Sequence, residues 1–512
     1  MSQFNLVDEQ WIQVRYPDGT RDELGIRDVL LRSREIAVIE DSSPLVVAAL
    51  HRFLLAVLYR ALGGPTDIDQ AKALFDEGLP AERIATYLDK WRERFCLFDQ
   101  QHPFYQVPDY EPKEKKGQKQ WKPWTVLAAE HNADNSKVLF DHVDNSAPGS
   151  ITCSQAARWL IACQTFALGG GNSDFRYTKH APSATALMVL PLGSTLHDTF
   201  LASLVPENKD VLASDRPVWE RDPDGSESLK QGAARTATGW VDLYTWRARS
   251  IKLQPPVAGR VVGLAFASGV ECASGDLVDP MLVYRIDEKR GRMPLQFRDR
   301  GLWRDYDSLL PDASTLAPRV MEHAATFARL HRHRSPRSVM VLGQANSQAK
   351  VEYWRMERFV LPEALAGEAP LRGEIRQLLA DAEGADGQLW SACRSFARHL
   401  LARGERSPAA TDIKAFVRQM AAGAWFWSTL EAHFHGVLGE LTLDRDTEEI
   451  RRRWLGAVRA ALSGAWERHR ASVSAGDAWG MRALMKAERP VLRKVKLLDE
   501  EILSLTPQLE DA

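Results

Sequence analysis

The first apolar pattern on the chain is short and ends abruptly. "NLVDEQWIQVRYPDGT" has the look of a strand that runs into an Asp-Gly turn, the opening of a β-hairpin. The period then changes. In "SSPLVVAALHRFLLAVLYRALGG", the residues Leu50, Phe53, Leu54, Val57, Leu58 and Ala61 recur at helical spacing. Ser43 suits the N-cap, Pro44 the first turn and Gly63 the end of this helix. His51, Arg52 and Arg60 interrupt the apolar run, so the expectation is a buried helix and not a membrane span. "EPKEKKGQKQWKPW", residues 111–124, is a lysine-rich break expected to be a mobile surface loop.

Over residues 1–365, strand-like and helical pieces alternate between Pro, Gly and Asp punctuators. From 370 to 512 the pattern predicts four long helices. The second begins at Ser407-Pro408 and carries "AFVRQMAAGAWFWSTLEAHF". The third opens with Asp446 and Glu449 in capping-box spacing. The fourth, "AWGMRALMKAERPVLRKVKLLDEEIL", is expected to bend near Pro490. The fold class is therefore α+β: a large mixed N-terminal domain followed by a C-terminal four-helix bundle. On the fourth helix Arg482, Lys486, Arg489, Arg493 and Lys496 share one face. Met481, Leu484, Val491 and Val495 are expected on the core face.

Composition narrows the function little. Sixty-six basic and 68 acidic residues leave a net charge of −2, unlike a free-standing nucleic-acid binder. Five scattered cysteines, without a CxxC, argue against a disulfide framework or zinc site and fit a reducing cytoplasm. The opening "MSQFNLVDEQWIQVR" has no export-type apolar run, so a cytoplasmic setting is expected.

Candidate chemistry is sparse. "FALGGGNSDFRY", residues 166–177, has three consecutive glycines where an apolar run stops. Asn172-Ser173-Asp174 follows them, so this is not a P-loop, and no GxGxxG stands behind a strand. The glycines fit either a helix C-cap or a close backbone approach to another molecule. The His197-Asp198 pair lacks further ligands in register, and His331 and His333 lack an acidic or cysteine partner nearby. No GxSxG or HExxH is present. No catalytic residue, cofactor or metal is expected.

Several stretches occur in one order: "NLVDEQWIQVR", "RFCLFDQQHPFYQV", "VLFDH", "FALGGG", "DLYTWRARSIKL" and "SPRSVMVLGQANSQAK". With the helical C-terminus and the length, this set resembles the CasA family, large subunits of the type I-E CRISPR surveillance complex Cascade. The resemblance covers essentially the whole chain. It implies a non-catalytic subunit near the crRNA 5′ handle that checks duplex DNA for a protospacer-adjacent motif. Such a subunit promotes duplex opening and R-loop formation and helps recruit the helicase-nuclease, while base pairing reads the target sequence. Its partners would be the other Cascade subunits, the crRNA and target DNA, with no membrane.

Residue by residue, the resemblance implies that Gly169, Gly170 and Gly171, with Asn172, approach the minor groove, a family glycine just upstream being Ala167 here. It matches Gln348 to a wedge inserted beside the motif, flanked by Asn346 and by Ser347, where relatives often have Asn. A groove-reaching lysine is matched by Lys289, Arg290 or Arg292 in "RIDEKRGRMPLQF". Phe140 and His142 match the loop that docks on the RNA handle. Arg489 and Arg493 are candidates for DNA-backbone contact. Some relatives have clustered cysteines where this chain has only Cys272. Two alternatives stay open: a phosphate-binding hydrolase using the glycine loop, and a pure scaffold.

Overall fold

The computed structural model describes residues 4–506, except 129–148, 233, 274, 290, 299, 311–314, 331–337, 348–349, 361–368, 404–406, 443–444 and 475. Two compact units form: residues 1–302 with 308–359, and residues 303–307 with 360–512. The first unit mixes helices with small sheets and the second is helical, an α+β class. The division falls after Phe359 rather than in the 365–370 stretch, and the short segment 303–307 joins the helical unit.

The first unit is organised around the helix Pro44–Leu62. Ser43 accepts from the Val46 N–H, Pro44 stands in the first turn, and Gly63 closes the helix at φ 59°. All its residues except Pro44 and Arg60 are buried. By length and composition it is apolar enough to cross a membrane, yet here it is the core of a folded unit. Phe53 is the hub. Its ring lies 5.4–6.4 Å from those of Trp219, Phe104, Trp11 and Phe95, each in edge-to-face geometry. Trp11, Phe95 and Phe104 come from two of the stretches that carry the family resemblance.

A helix buried all round must satisfy its polar groups internally. Arg52 pairs with Asp279 at 2.5 Å, both essentially inaccessible, and its guanidinium lies 4.2 Å from the Tyr244 ring centre. His51 Nδ1 donates to the Val47 carbonyl at 2.8 Å. On the helix Arg319–Leu330, His323 Nε2 meets the Leu201 carbonyl at 3.1 Å.

The opening hairpin pairs Ile12–Arg15 with Arg21–Leu24, and Gly19 in its turn has φ 89°. The lysine-rich break lies at the surface, as expected, and carries a short hairpin. Glu114–Lys115 and Gln118–Lys119 pair as a hairpin across Lys116 and Gly117, both at positive φ, the backbone that a tight hairpin turn requires.

In the helical unit, the helix Ala369–Ala402 packs on Thr447–Ser472, Ala478–Ala487 and Arg489–Ser504. Trp454 donates to the Leu378 carbonyl at 2.8 Å. Trp303 stands 4.9 Å from Phe434, and Arg304 pairs with Glu383 at 3.0 Å. The predicted second helix is two helices, Ala410–Arg418 and Ala422–Glu440. The predicted fourth is also broken, at Glu488, because Pro490 has no N–H to give the preceding turn. Met481 is 37% exposed and so lies off the core face, whereas Leu484 and Val491 are buried and Val495 is half-buried. The break at Glu488 interrupts the face that one continuous helix would have offered.

Burial pushes the imidazoles of His51 and His323 each down to about 4. Both are neutral in the fold, while in the unfolded chain they take up protons near 6.5. Their contribution is complete above that value and is lost as pH falls from 6.5 to about 4, about 3 kcal/mol each. Urea midpoints should therefore drop between pH 7.5 and 4.5. His51→Gln with His323→Gln should drop distinctly less, and an equal drop would assign the acid sensitivity to carboxylates.

Candidate nucleic-acid interface

The glycine loop starts from a well-made helix. In Cys153–Phe166, Thr152 and Gln155 form a reciprocal capping box. The helix ends at Phe166, and the Ala181 N–H donates to the Ala167 carbonyl at 2.9 Å, closing a loop over 167–181. Inside it Asn172 bridges Tyr177, and Ser173 Oγ donates to the Arg176 carbonyl at 2.6 Å.

The three glycines answer to three constraints. A Cβ on Gly169 would stand 2.5 Å from the Lys179 carbonyl carbon and 2.6 Å from the His180 nitrogen. Gly169 is buried, so its requirement is set by the protein's own returning chain. Gly170 is exposed at φ 139°, and its N–H donates to Thr178 Oγ1 and O, both at 3.1 Å. Gly171 is exposed at φ 73° with open space where a Cβ would go. The N–H groups of Gly171 and Asn172 donate to no acceptor among the described residues. The Gly169 N–H donates to His180 Nδ1 at 3.0 Å. Burial, aided by the Arg249 charge, lowers the imidazole pKa and so keeps that nitrogen an acceptor.

Two buried side chains hold the feet of the loop. Arg249, 2% exposed, donates to the carbonyls of Leu168 at 2.8 Å and Ala167 at 3.2 Å. It thereby supplies positive charge at the negative end of the helix. Gln344, fully buried, uses both amide hydrogens: Nε2 meets the Phe166 carbonyl at 2.7 Å and the Ala184 carbonyl at 2.6 Å. Both residues lie in the resemblance stretches, yet sequence reasoning passed over them. A lone glutamine inside the apolar run "VMVLGQA" was the available signal. Tyr177, 56% exposed beside the glycines, was also passed over.

The other candidates share the same root. The strand Ser338–Ser347, which contains Asn346, is the middle of a three-stranded sheet between Lys350–Val360 and Met188–Leu192. Asn346 is half-buried. Ser347 ends its strand, and Gln348 lies outside the described residues. The basic hairpin pairs Tyr284–Asp287 with Gly291–Pro294. Just beyond it Leu187 donates to the Leu295 carbonyl at 2.9 Å, and Met188 bridges Leu282. The glycine loop, the hairpin leading to Gln348 and the basic hairpin therefore all attach to residues 184–188.

Within the basic hairpin, Arg292 is engaged by Asp276 at 3.3 Å. Lys289 is exposed, with no ion pair among the described residues, and Arg290 lies outside them. Phe140, His142, His331 and His333 also lie outside the described residues. Arg482, Lys486, Arg489, Arg493 and Lys496 are all exposed.

His197 and Asp198 are buried in structural bonds, the first to Ser33 Oγ and the second to the hydroxyls of Ser194 and Thr195. No group of three or more His, Cys, Asp or Glu is placed to hold a metal among the described residues. The glycine loop follows the C-terminal end of its helix, where the helix dipole does not favour an anion, and Arg249 already serves that end.

Fold and site together define a two-unit α+β protein in which the glycine loop and two hairpins attach to one strand system. The family model described as CRISPR-associated protein Cse1 matches residues 5–465. A CRISPR-associated protein CasA/Cse1 from Thermus thermophilus is 32% identical, over 98% of this chain and 99% of that one. The crystal structure of Thermus thermophilus CasA has a TM-score of 0.85 at 30% identity, covering 97% of this chain and 100% of that chain. A chain from a CRISPR RNA-guided surveillance complex shares the fold, with a TM-score of 0.74 at 18% identity over 96% of this chain and 99% of that chain. The chain belongs to the Cse1 (CasA) family, the large-subunit family of CRISPR surveillance complexes.

A methyl at Gly169 meets backbone, whereas one at Gly171 meets only the left-handed φ cost, about 1 kcal/mol. Gly169→Ala should therefore open the loop, and Gly171→Ala should not. Hydrogen exchange at the Thr178 and Ala181 amides is the check: fast exchange in the first variant and near-native exchange in the second. Equal protection in both would mean that the close approach does not hold the loop.

Proposed function

We propose that this chain is the non-catalytic large subunit of a crRNA-guided surveillance complex and checks duplex DNA for a short adjacent motif through the minor groove. One observation carries the proposal. Gly170 and Gly171 are exposed backbone without side chains, on a loop whose feet are locked by Arg249 and Gln344. The minor groove is only about 6 Å wide, so a narrow, stiff strip of backbone can enter where a side-chain-bearing segment cannot. Its floor displays acceptors at every A·T pair, and the N–H groups of Gly171 and Asn172 would be donors to them. That code is degenerate, so several related motifs should be accepted.

Lys289 or Arg290 would reach the groove from the basic hairpin, since Arg292 is held by Asp276. Gln348 would begin strand separation. Unstacking one base step costs a few kcal/mol, which an inserted amide side chain partly offsets. Thereafter the guide exchanges DNA pairs for RNA–DNA pairs at nearly balanced energy. Partners follow from the same proposal: other complex subunits, the crRNA 5′ handle near Phe140 and His142, target duplex, and the helicase-nuclease.

The test is R-loop formation by the reconstituted complex on intact duplex and on a duplex with a pre-melted bubble beside the motif. Gly170→Asp sets a negative charge against phosphate and should abolish motif-dependent binding while the complex still assembles. Gln348→Ala should slow opening of intact duplex and matter much less on the bubble. Normal motif-dependent recruitment by Gly170→Asp would remove the groove contact, and equal slowing on both substrates would remove the wedge.

The exposed Arg489 and Arg493 are proposed to touch the DNA backbone. Each phosphate contact contributes about 0.9 to the slope of log K against log salt. Replacing both by Ala should flatten that slope by about 2, whereas an unchanged slope would make them solvated surface.

A further inference from the structure

Gln344 lies between the two elements to which motif reading and duplex opening are assigned. It stands on the strand Ser338–Ser347, four residues before Gln348. Its amide grips both feet of the glycine loop, through the carbonyls of Phe166 and Ala184. Those carbonyls are acceptors only, so the amide orientation is fixed: nitrogen faces the loop and oxygen points away. That oxygen, Oε1, is buried without a hydrogen-bond partner among the described residues. The backbone beside it is equally committed. A Cβ on Gly343 would stand 2.6 Å from the Ala186 carbonyl oxygen, so the strand presses directly on the segment that carries the loop's outgoing foot.

We propose that Gln344 is a positioning residue that couples the glycine loop to the Gln348 hairpin, so that engagement of the motif sets the hairpin for strand opening. The inference rests on the function proposed above. It follows from connectivity: a displacement of Phe166 or Ala184 must either break a hydrogen bond of 2.6–2.7 Å or move the strand that leads to Gln348. Apolar contact alone would let the two elements slide, whereas two hydrogen bonds from one planar amide transmit direction.

The test uses the reconstituted complex with the full-length chain, wild type or Gln344→Leu, a substitution that keeps the volume and removes both donors. The readout is the ratio of opening rates on duplexes with and without the motif, together with the same ratio on bubble substrates. Wild type should show a large ratio on duplex. Gln344→Leu should fold and assemble and, at duplex concentrations that saturate its motif-dependent binding, show a duplex opening ratio about tenfold smaller, a typical size for coupling between sites. Opening on bubble substrates should be near normal. Gln344→Asn, too short to reach both feet, should resemble Leu, which guards against an effect peculiar to an apolar replacement. An unchanged ratio in Gln344→Leu would overturn the coupling. A wild-type complex with no motif dependence would instead overturn the proposed function itself.

Discussion

The ion pair between Arg52 and Asp279 fixes where the rest of the first unit can go. A charged residue in the middle of a fully buried helix is tolerated only with a committed partner, and losing one member of such a pair costs about 3–5 kcal/mol. Asp279 is held on its other side as well, its Oδ1 accepting from the Met281 N–H at 2.9 Å. Met281 in turn accepts from Val189 at 2.8 Å. The core helix is thus tied, through three successive bonds, to the strand that follows residues 184–188. Those residues root the glycine loop and both hairpins. The outward-facing loops inherit their placement from a charge pair that never meets solvent.

This also explains why a family resemblance could be seen in scattered short stretches. "NLVDEQWIQVR" supplies Trp11 and "RFCLFDQQHPFYQV" supplies Phe95 and Phe104, all against Phe53. "DLYTWRARSIKL" supplies Tyr244 over Arg52 and Arg249 under the glycine loop. These are packing and bonding positions around one helix, and packing restricts residue choice more than an exposed surface does.

Much of the architecture was legible because its signals are local. The buried helix announced itself through its cap, its Pro44 and its terminal Gly63, and the opening hairpin through Asp18-Gly19. The breaks in the C-terminal helices were less so. Residues 419–421 carry no Pro and only a weak local signal, and Met481 is exposed although Leu484, three residues on in the same helix, is buried. The site was half legible. The three glycines stood out, but their separate causes depend on a chain segment about ten residues away in sequence, which Gly169 abuts, and no periodicity encodes that. Gln344 and Arg249 act on carbonyls more than eighty residues distant in sequence, so their partners could be found only after folding.

The bond between Ala167 and Ala181 makes the glycine loop a closed excursion, with entry and exit side by side. Lengthening such a loop costs only with the logarithm of its length. The loop is therefore a place where residues can be inserted at small entropic cost, while the charge pair, the aromatic hub and the strand root set the position of its base.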